Sequence, residues 1–257
     1  MSEHEKPAAA GIPPAPAFAR AGMVPTLNGT GFMFEVRDAF AEEFIRFAGQ
    51  SPHPVLDLGC AYGVATLPAL EAGGTVVASD MEPQHLEILR EKAPPALRAR
   101  LTCVAGKLPE IDFPEGNFAA ILCSRVFHFL TGAEIDQSIA KVYRWLRPGG
   151  HFYLVADTPY GIWRKAIPEF EERKRQGVRW PGFIVGLHNY IPTPGVQKHI
   201  DKPPYMNLMD TDLLRRICAE AGFEVRRVGY IDRADFRGLG RLDGRENVGC
   251  LAVRPAH

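Results

Sequence analysis

The stretch Val55-Leu-Asp-Leu-Gly59-Cys-Ala-Tyr-Gly63-Val-Ala-Thr66 decides the fold. Val55–Leu58 is a short apolar run of strand type, Thr66–Glu71 carries apolar residues at helical steps, and two glycines four positions apart lie between them. A strand that runs through a glycine turn into a helix is the entrance to a nucleotide site. The helix start has backbone N–H groups without intrahelical partners, and glycine lets a ligand approach the main chain closely. The turn is therefore expected to carry a nucleotide or another charged small molecule.

Working outward, 75–79 is a second β-rich run that ends on Asp80, 23 residues after Asp57. A carboxylate at that place accepts both hydroxyls of a ribose and repels a 2′-phosphate. Further strand-like runs at 101–104, 118–123 and 151–156 alternate with helix-patterned segments at 85–92 and 135–146, the last stopped by Pro148, Gly149 and Gly150. Such alternation implies βαβ crossovers. It predicts a doubly wound α/β fold whose mostly parallel, seven-stranded sheet has helices on both faces. On the amino-terminal side, Phe34, Val36, Phe40, Phe44, Ile45 and Phe47 predict a helix over 34–47. Residues 1–34 read as a leader, and 1–22, rich in Pro and Ala, as its disordered part. On the carboxyl-terminal side the alternation breaks over the 53 residues 158–210. It resumes with a helix over 212–221, closed by Gly222, and strands at 223–231 and Asn247–Val253. The expected organisation is one ligand-binding domain, 35–157 and 211–254, with 158–210 inserted after the fifth strand as a cap.

The glycines discriminate between ligands. A dinucleotide turn follows G-x-G-x-x-G, and here Ala61 stands at the second glycine's place. Asp-Leu-Gly-Cys-Ala-Tyr-Gly63 instead resembles motif I of the class I S-adenosylmethionine-dependent methyltransferases, in particular those of small-molecule type. The resemblance covers 35–157 and 211–254. Asp80 matches the family's acidic residue after the second strand and Gly106 its loop after the third. The segment 117–130, Asn-Phe-Ala-Ala-Ile-Leu-Cys-Ser-Arg-Val-Phe-His-Phe-Leu, looks like the fourth-strand motif, and Leu146-Arg-Pro-Gly-Gly150 like the turn before strand five. The resemblance implies S-adenosylmethionine as cofactor, with S-adenosylhomocysteine as product. It places the cofactor on Asp57, Gly59, Cys60, Ala61 and Gly63, on Asp80 and Met81, on Gly106, Lys107 and Leu108, and on Ser124 and Arg125. Asp57 either caps the turn or touches the ligand. Cys60 is expected to turn its backbone N–H to the cofactor rather than act as a nucleophile. Three positions depart from the pattern: Ala61 for the middle glycine, Ala119 for an Asp, and Lys107 for an acidic adenine partner, with Asp112 as the candidate substitute.

A methyl group on a sulfonium needs alignment with an acceptor and, for a neutral hydroxyl or a protonated amine, a base. His128, just past the fourth strand, is the candidate to take a proton or hold the acceptor; the alternative is a core histidine bonded to backbone. Asp157, Tyr160 and Trp163 after the fifth strand, and His188, Tyr190 and Tyr205 in the cap, are candidate acceptor contacts or the cap's own core. Arg233, Arg237, Arg241 and Arg245 either clamp an anionic group or are neutralised by Asp232, Asp235 and Asp243.

Composition limits the partners. Thirty Lys plus Arg balance thirty Asp plus Glu, which argues against nucleic acid. No run of 18 apolar residues and no signal-peptide core occurs, so neither a membrane nor export is expected and the default address is cytoplasmic. Five scattered cysteines without a C-x-x-C pair suit reduced thiols and no metal site. The expected partner is a small-molecule acceptor, bound by a monomer or homodimer. Two other readings remain: an NAD-dependent oxidoreductase, for which the Tyr-x-x-x-Lys pair is lacking, and a non-catalytic S-adenosylmethionine binder.

Overall fold

The computed structural model describes residues 22–191, 203–236 and 238–256. It opens on a hairpin of β1 (Met23–Pro25) and β2 (Phe32–Phe34), followed by α1 (Ala39–Gln50), β3 (Val55–Leu58), α2 (Thr66–Glu71), β4 (Val76–Asp80), α3 (Pro83–Lys92) and β5 (Leu101–Ala105). Next come β6 (Phe118–Ser124), α4 (Gly132–Trp145) and β7 (Leu146–Asp157). The insertion carries α5 (Ile167–Arg175), β8 (Phe183–Val185) and β9 (Tyr205–Asn207), and α6 (Thr211–Glu220), β10 (Glu224–Ile231) and β11 (Asn247–Val253) complete the sheet.

The central sheet runs β10-β11-β7-β6-β3-β4-β5. Pairs β3/β4, β3/β6, β4/β5 and β6/β7 are parallel, and β11 is antiparallel to both its neighbours. Period-two alternation distributes the strand side chains between two helix layers. Leu56, Leu58, Phe152, Leu154 and Ala156 pack with the Ile135, Ile139 and Val142 face of α4 and with Leu213, Leu214 and Ile217 of α6. Val55, Tyr153 and Val155 pack on the opposite face with Phe40, Phe44 and Ile45 of α1 and Ala69 and Leu70 of α2. The strand order reverses between β3 and β6, and there the carboxyl ends of the strands part to leave a crevice.

Three boundaries differ from the sequence reading. The helix expected over 34–47 starts at Ala39, because the Asp38 side chain caps it by accepting from the Phe40 and Ala41 N–H groups, both at 3.0 Å. Phe34 belongs to β2. Residues 22–34, read as leader, form a hairpin whose turn is built on Asn28: its Oδ1 accepts from the Thr30 N–H and hydroxyl at 3.0 and 2.7 Å. The disorder expected over 1–22 falls almost wholly outside the described residues. Finally, Pro148, Gly149 and Gly150 lie within β7 rather than in a turn before it. Leu146 already pairs with Phe118, and the register shifts before His151 pairs with Ala120.

Candidate active site

The carboxyl ends of β3, β4 and β6 and the loop after β5 open into a cavity of about 760 Å3 whose wall also includes the β1–β2 hairpin and part of the insertion. At one end lies the glycine turn, with positive φ at Gly59 (80°), Ala61 (44°) and Gly63 (87°). Gly59 and Cys60 both donate their N–H to the Ser79 carbonyl, at 2.8 and 3.0 Å, and Ala61 donates to Asp80 Oδ2 at 2.8 Å. This corrects two expectations: these three amides are consumed inside the chain, and the Cys60 N–H does not face a ligand. The Cys60 thiol is buried, and burial pushes its pKa well above the usual range, so it is no nucleophile. Gly63 is not on the cavity wall. A Cβ there would lie 2.3 Å from Leu89 Cδ1, so this glycine lets α3 pack against the turn.

Asp57 lines the cavity floor and accepts from the Thr66 hydroxyl at 2.6 Å, bracing the start of α2. Burial outweighs that bond and pushes its carboxyl up to about 6. Asp80, at the end of β4, accepts from Ala61, from the Glu82 N–H at 2.9 Å and from His85 Nδ1 at 3.0 Å. A carboxylate has about four acceptor positions, so one remains for a ribose hydroxyl where two hydroxyls were expected. Met81, Gly106, Lys107 and Leu108 continue the wall. The Lys107 ammonium turns outward to Glu110 at 3.1 Å. Asp112 is off the wall, accepting from Trp145 Nε1 at 2.6 Å, which removes it as an adenine partner.

The other end is a polar network under an aromatic roof. Arg125 donates through Nη1 to Ser124 Oγ at 3.1 Å and through Nη2 to Asp38 and Asn247 at 3.1 and 3.2 Å. Burial lowers the pKa of its guanidinium, and Arg233 adds to the shift. Asn247 also donates to Asp157 Oδ1 at 2.7 Å, while Trp163 Nε1 donates to Asp157 Oδ2 at 3.2 Å. The Asp157 N–H donates to His128 Nδ1 at 3.0 Å, which leaves the ring proton of neutral His128 on Nε2. Burial lowers the imidazole pKa further. His128 on the cavity wall is thus a donor through Nε2. The expectation that it takes a proton is corrected, because its basic nitrogen faces the Asp157 amide.

Of the expected acceptor contacts, Asp157, Trp163 and Tyr205 line the cavity. Tyr160 does not: it is buried beneath Arg245, whose guanidinium lies 3.8 Å from the ring centroid, and its hydroxyl donates to Glu171. His188 and Tyr190 are also off the wall, the Tyr190 hydroxyl donating to Glu169 at 2.7 Å. Arg233 pairs with Asp235, Arg241 with Asp232 and Arg245 with Asp243, so these three are neutralised rather than free to clamp an anion. Arg237 lies outside the described residues. Among the described residues no group of His, Cys, Asp or Glu is placed to hold a metal ion. No helix among them is long and apolar enough to cross a membrane.

Sequence reasoning missed the hairpin wall, including Met33 and Phe34, and the buried trio Asp38, His85 and Asn247. Asn28-Gly29 between apolar runs signalled the hairpin, and Asp38 before a periodic apolar stretch signalled a cap. His85 and Asn247 carried no local signal.

A family profile described as "Methyltransferase domain" matches residues 55–150. An uncharacterised methyltransferase of Synechocystis is 38% identical over 101 residues, 39% of this chain and 45% of that protein. One from Geobacillus kaustophilus is 31% identical over 149 residues, 56% of this chain and 67% of that protein. The chain belongs to the class I S-adenosylmethionine-dependent methyltransferase family. Its match nevertheless spans less than half the length of the Synechocystis relative. Among solved structures, the 1,6-didemethyltoxoflavin-N1-methyltransferase of Burkholderia thailandensis, with bound 1,6-didemethyltoxoflavin and S-adenosylhomocysteine, superposes with a TM-score of 0.57. The two share 18% identity over 85% of this chain and 79% of that one. As a member of this family, the chain has the expected mostly parallel, seven-stranded sheet, with the antiparallel β11 inserted between β10 and β7.

Proposed function

We propose that the protein binds S-adenosylmethionine across the β3–β6 switch point and transfers its methyl group to a small-molecule acceptor in the adjoining chamber. The use of the turn amides carries this reading. A pyrophosphate needs free N–H groups at the glycine turn, whereas Gly59, Cys60 and Ala61 spend theirs on Ser79 and Asp80. A nucleoside without phosphates needs only close approach to the turn and a carboxylate for its ribose, and Asp80 keeps one acceptor position for it.

When bound, the cofactor supplies a methyl group already activated by its sulfonium. The chain then has to hold an acceptor in line and keep water out. His128 Nε2–H donates to an oxygen or lone pair of the acceptor, and Asp157 accepts from an N–H or O–H beside it. Phe34, Phe129, Trp163 and Phe236 supply apolar walls. A cavity of about 760 Å3 that also takes the cofactor leaves room for a small acceptor, in keeping with the one named for the Burkholderia neighbour.

A thermal-shift comparison of S-adenosylmethionine, S-adenosylhomocysteine, NAD and NADP tests the cofactor. A ligand at about 100 times its Kd stabilises by about 2.7 kcal/mol, a shift of several degrees. Stabilisation by the two sulfur ligands alone is expected. Stabilisation by a dinucleotide overturns the reading in favour of an oxidoreductase.

A further inference from the structure

His85 is fully buried in the first turn of α3 and bonded at both ring nitrogens. Nδ1 lies 3.0 Å from Asp80 Oδ1, and Nε2 accepts the Leu27 N–H at 2.9 Å, across 58 residues of sequence. Because Leu27 can only donate, Nε2 carries no proton. The ring is therefore the neutral Nδ1–H tautomer, donating to Asp80. Leu27 belongs to the turn region of the β1–β2 hairpin, whose two strands have three residues each. So short a hairpin does not hold itself together in water and depends on anchors. A second bond comes from the Tyr62 hydroxyl, which donates to the Pro25 carbonyl at 2.9 Å from a ring packed edge-on against His85 at 4.7 Å, and at the far end Phe34 packs against Phe236 and Arg233. Met23, Thr26, Phe32 and Phe34 of this same segment line the cavity.

Asp80 thus joins three parts of the site. Oδ2 holds the glycine turn through Ala61, Oδ1 holds the start of α3 through Glu82, and His85 extends the carboxylate to the hairpin. We infer that His85 is a positioning residue that couples closure of the amino-terminal hairpin over the cavity to occupancy of Asp80 by the cofactor. A hydroxyl on the carboxylate fixes Asp80 in the orientation that receives the His85 proton. His85 is then held with Nε2 presented to Leu27, and the hairpin stays down. By reciprocity a hairpin held down favours the bound cofactor by the same factor. This inference rests on the proposed cofactor role of Asp80.

The test is amide hydrogen exchange of the full chain, with and without saturating S-adenosylhomocysteine, on the wild type, His85→Phe and His85→Gln. Phe keeps the ring volume and loses both bonds, whereas Gln keeps one donor and one acceptor. In the wild type the ligand is expected to slow exchange over 23–34. In His85→Phe the hairpin exchanges about five- to tenfold faster without ligand, ligand no longer slows it, and S-adenosylhomocysteine binds about three- to tenfold more weakly, the size of one hydrogen bond. Partial recovery in His85→Gln separates the bonds from packing. Unchanged exchange in His85→Phe, equal ligand protection in all three proteins, or a ring 15N spectrum showing the Nε2–H tautomer overturns the coupling. Failure of S-adenosylhomocysteine to bind the wild type sinks the cofactor reading instead, and the ligand-free exchange and ring spectrum still decide whether His85 holds the hairpin.

Discussion

At the scale of single residues, the site is governed by which atoms the chain has already used. Ala61 and Asp80 show this at the glycine turn, where Gly59, Cys60 and Ala61 have no amides to spare for a phosphate. His128 shows it at the acceptor end. Its Nδ1 is occupied by the Asp157 N–H, so the ring is a fixed donor and not a base. His128→Asn tests this directly, since an Asn oxygen near the Nδ1 position keeps the Asp157 bond while the Nε2 donor is lost. The expected outcome in a methyl-transfer assay, once an acceptor is found, is turnover lower by about tenfold or more, with affinity for S-adenosylhomocysteine within about twofold. Because burial lowers the imidazole pKa, His128 is expected to add no inflection at or above the ordinary imidazole value. A wild-type inflection near the ordinary imidazole value that disappears in His128→Asn restores the base.

At the scale of elements, α1 is tied to the site by its cap. Asp38 Oδ1 accepts the Phe40 and Ala41 N–H groups while Oδ2 receives Arg125 at 3.1 Å, so one carboxylate starts a helix and neutralises a largely buried guanidinium on the cavity wall. Losing a cap costs about 1 kcal/mol. Removing one partner of a buried ion pair costs about 3–5 kcal/mol, because the other charge stays behind. Asp38→Ala removes both and is expected to fall in the larger range in urea unfolding. Asp38→Asn keeps the cap and a neutral acceptor and falls between that and the wild type. Equal small losses of about 1 kcal/mol in both variants limit Asp38 to capping. The strand and helix alternation from Val55 to β7 was legible because each element announces itself within a few residues. The start of α1 was misplaced because Phe34 and Val36 continue the apolar spacing by chance across a strand and a bend. The beginning of β7 was hidden by Pro148-Gly-Gly150, which imitates a helix stop inside a strand.

At the scale of the whole molecule, the glycine-turn half of the crevice was legible and the polar network opposite it was not, and topology is the reason. Asp57, Gly59 and Asp80 lie on or just past the ends of their own strands, so spacing finds them. Asn247 meets Asp157 only because β11 pairs antiparallel with β7 in the register that sets those two residues opposite each other. Leu27 meets His85 only through the hairpin, and no spacing rule contains either contact. The same central position makes Asp57 a reporter on global stability. It lies on β3, an interior strand of the sheet, and burial raises its carboxyl from the ordinary 3.8 to about 6. Between those two values the native protein binds more protons than the unfolded chain, so stability falls as pH rises through this window and levels off above about 6. The drop amounts to about 3 kcal/mol, at 1.36 kcal/mol per unit. Asp235, Asp243 and Glu246 are held below their ordinary values by Arg233, by Arg245 and by backbone N–H groups respectively, and they act in the opposite sense at lower pH. Comparison with Asp57→Asn, which keeps an acceptor for the Thr66 hydroxyl but does not titrate, isolates the one contribution. Relative to this variant, the wild type is expected to lose about 2.4 kcal/mol between pH 4 and pH 7 in urea unfolding. Two parallel stability curves would mean that Asp57 is ionised in the native protein at pH 4, and that the strand-end crevice is wetter than its burial indicates.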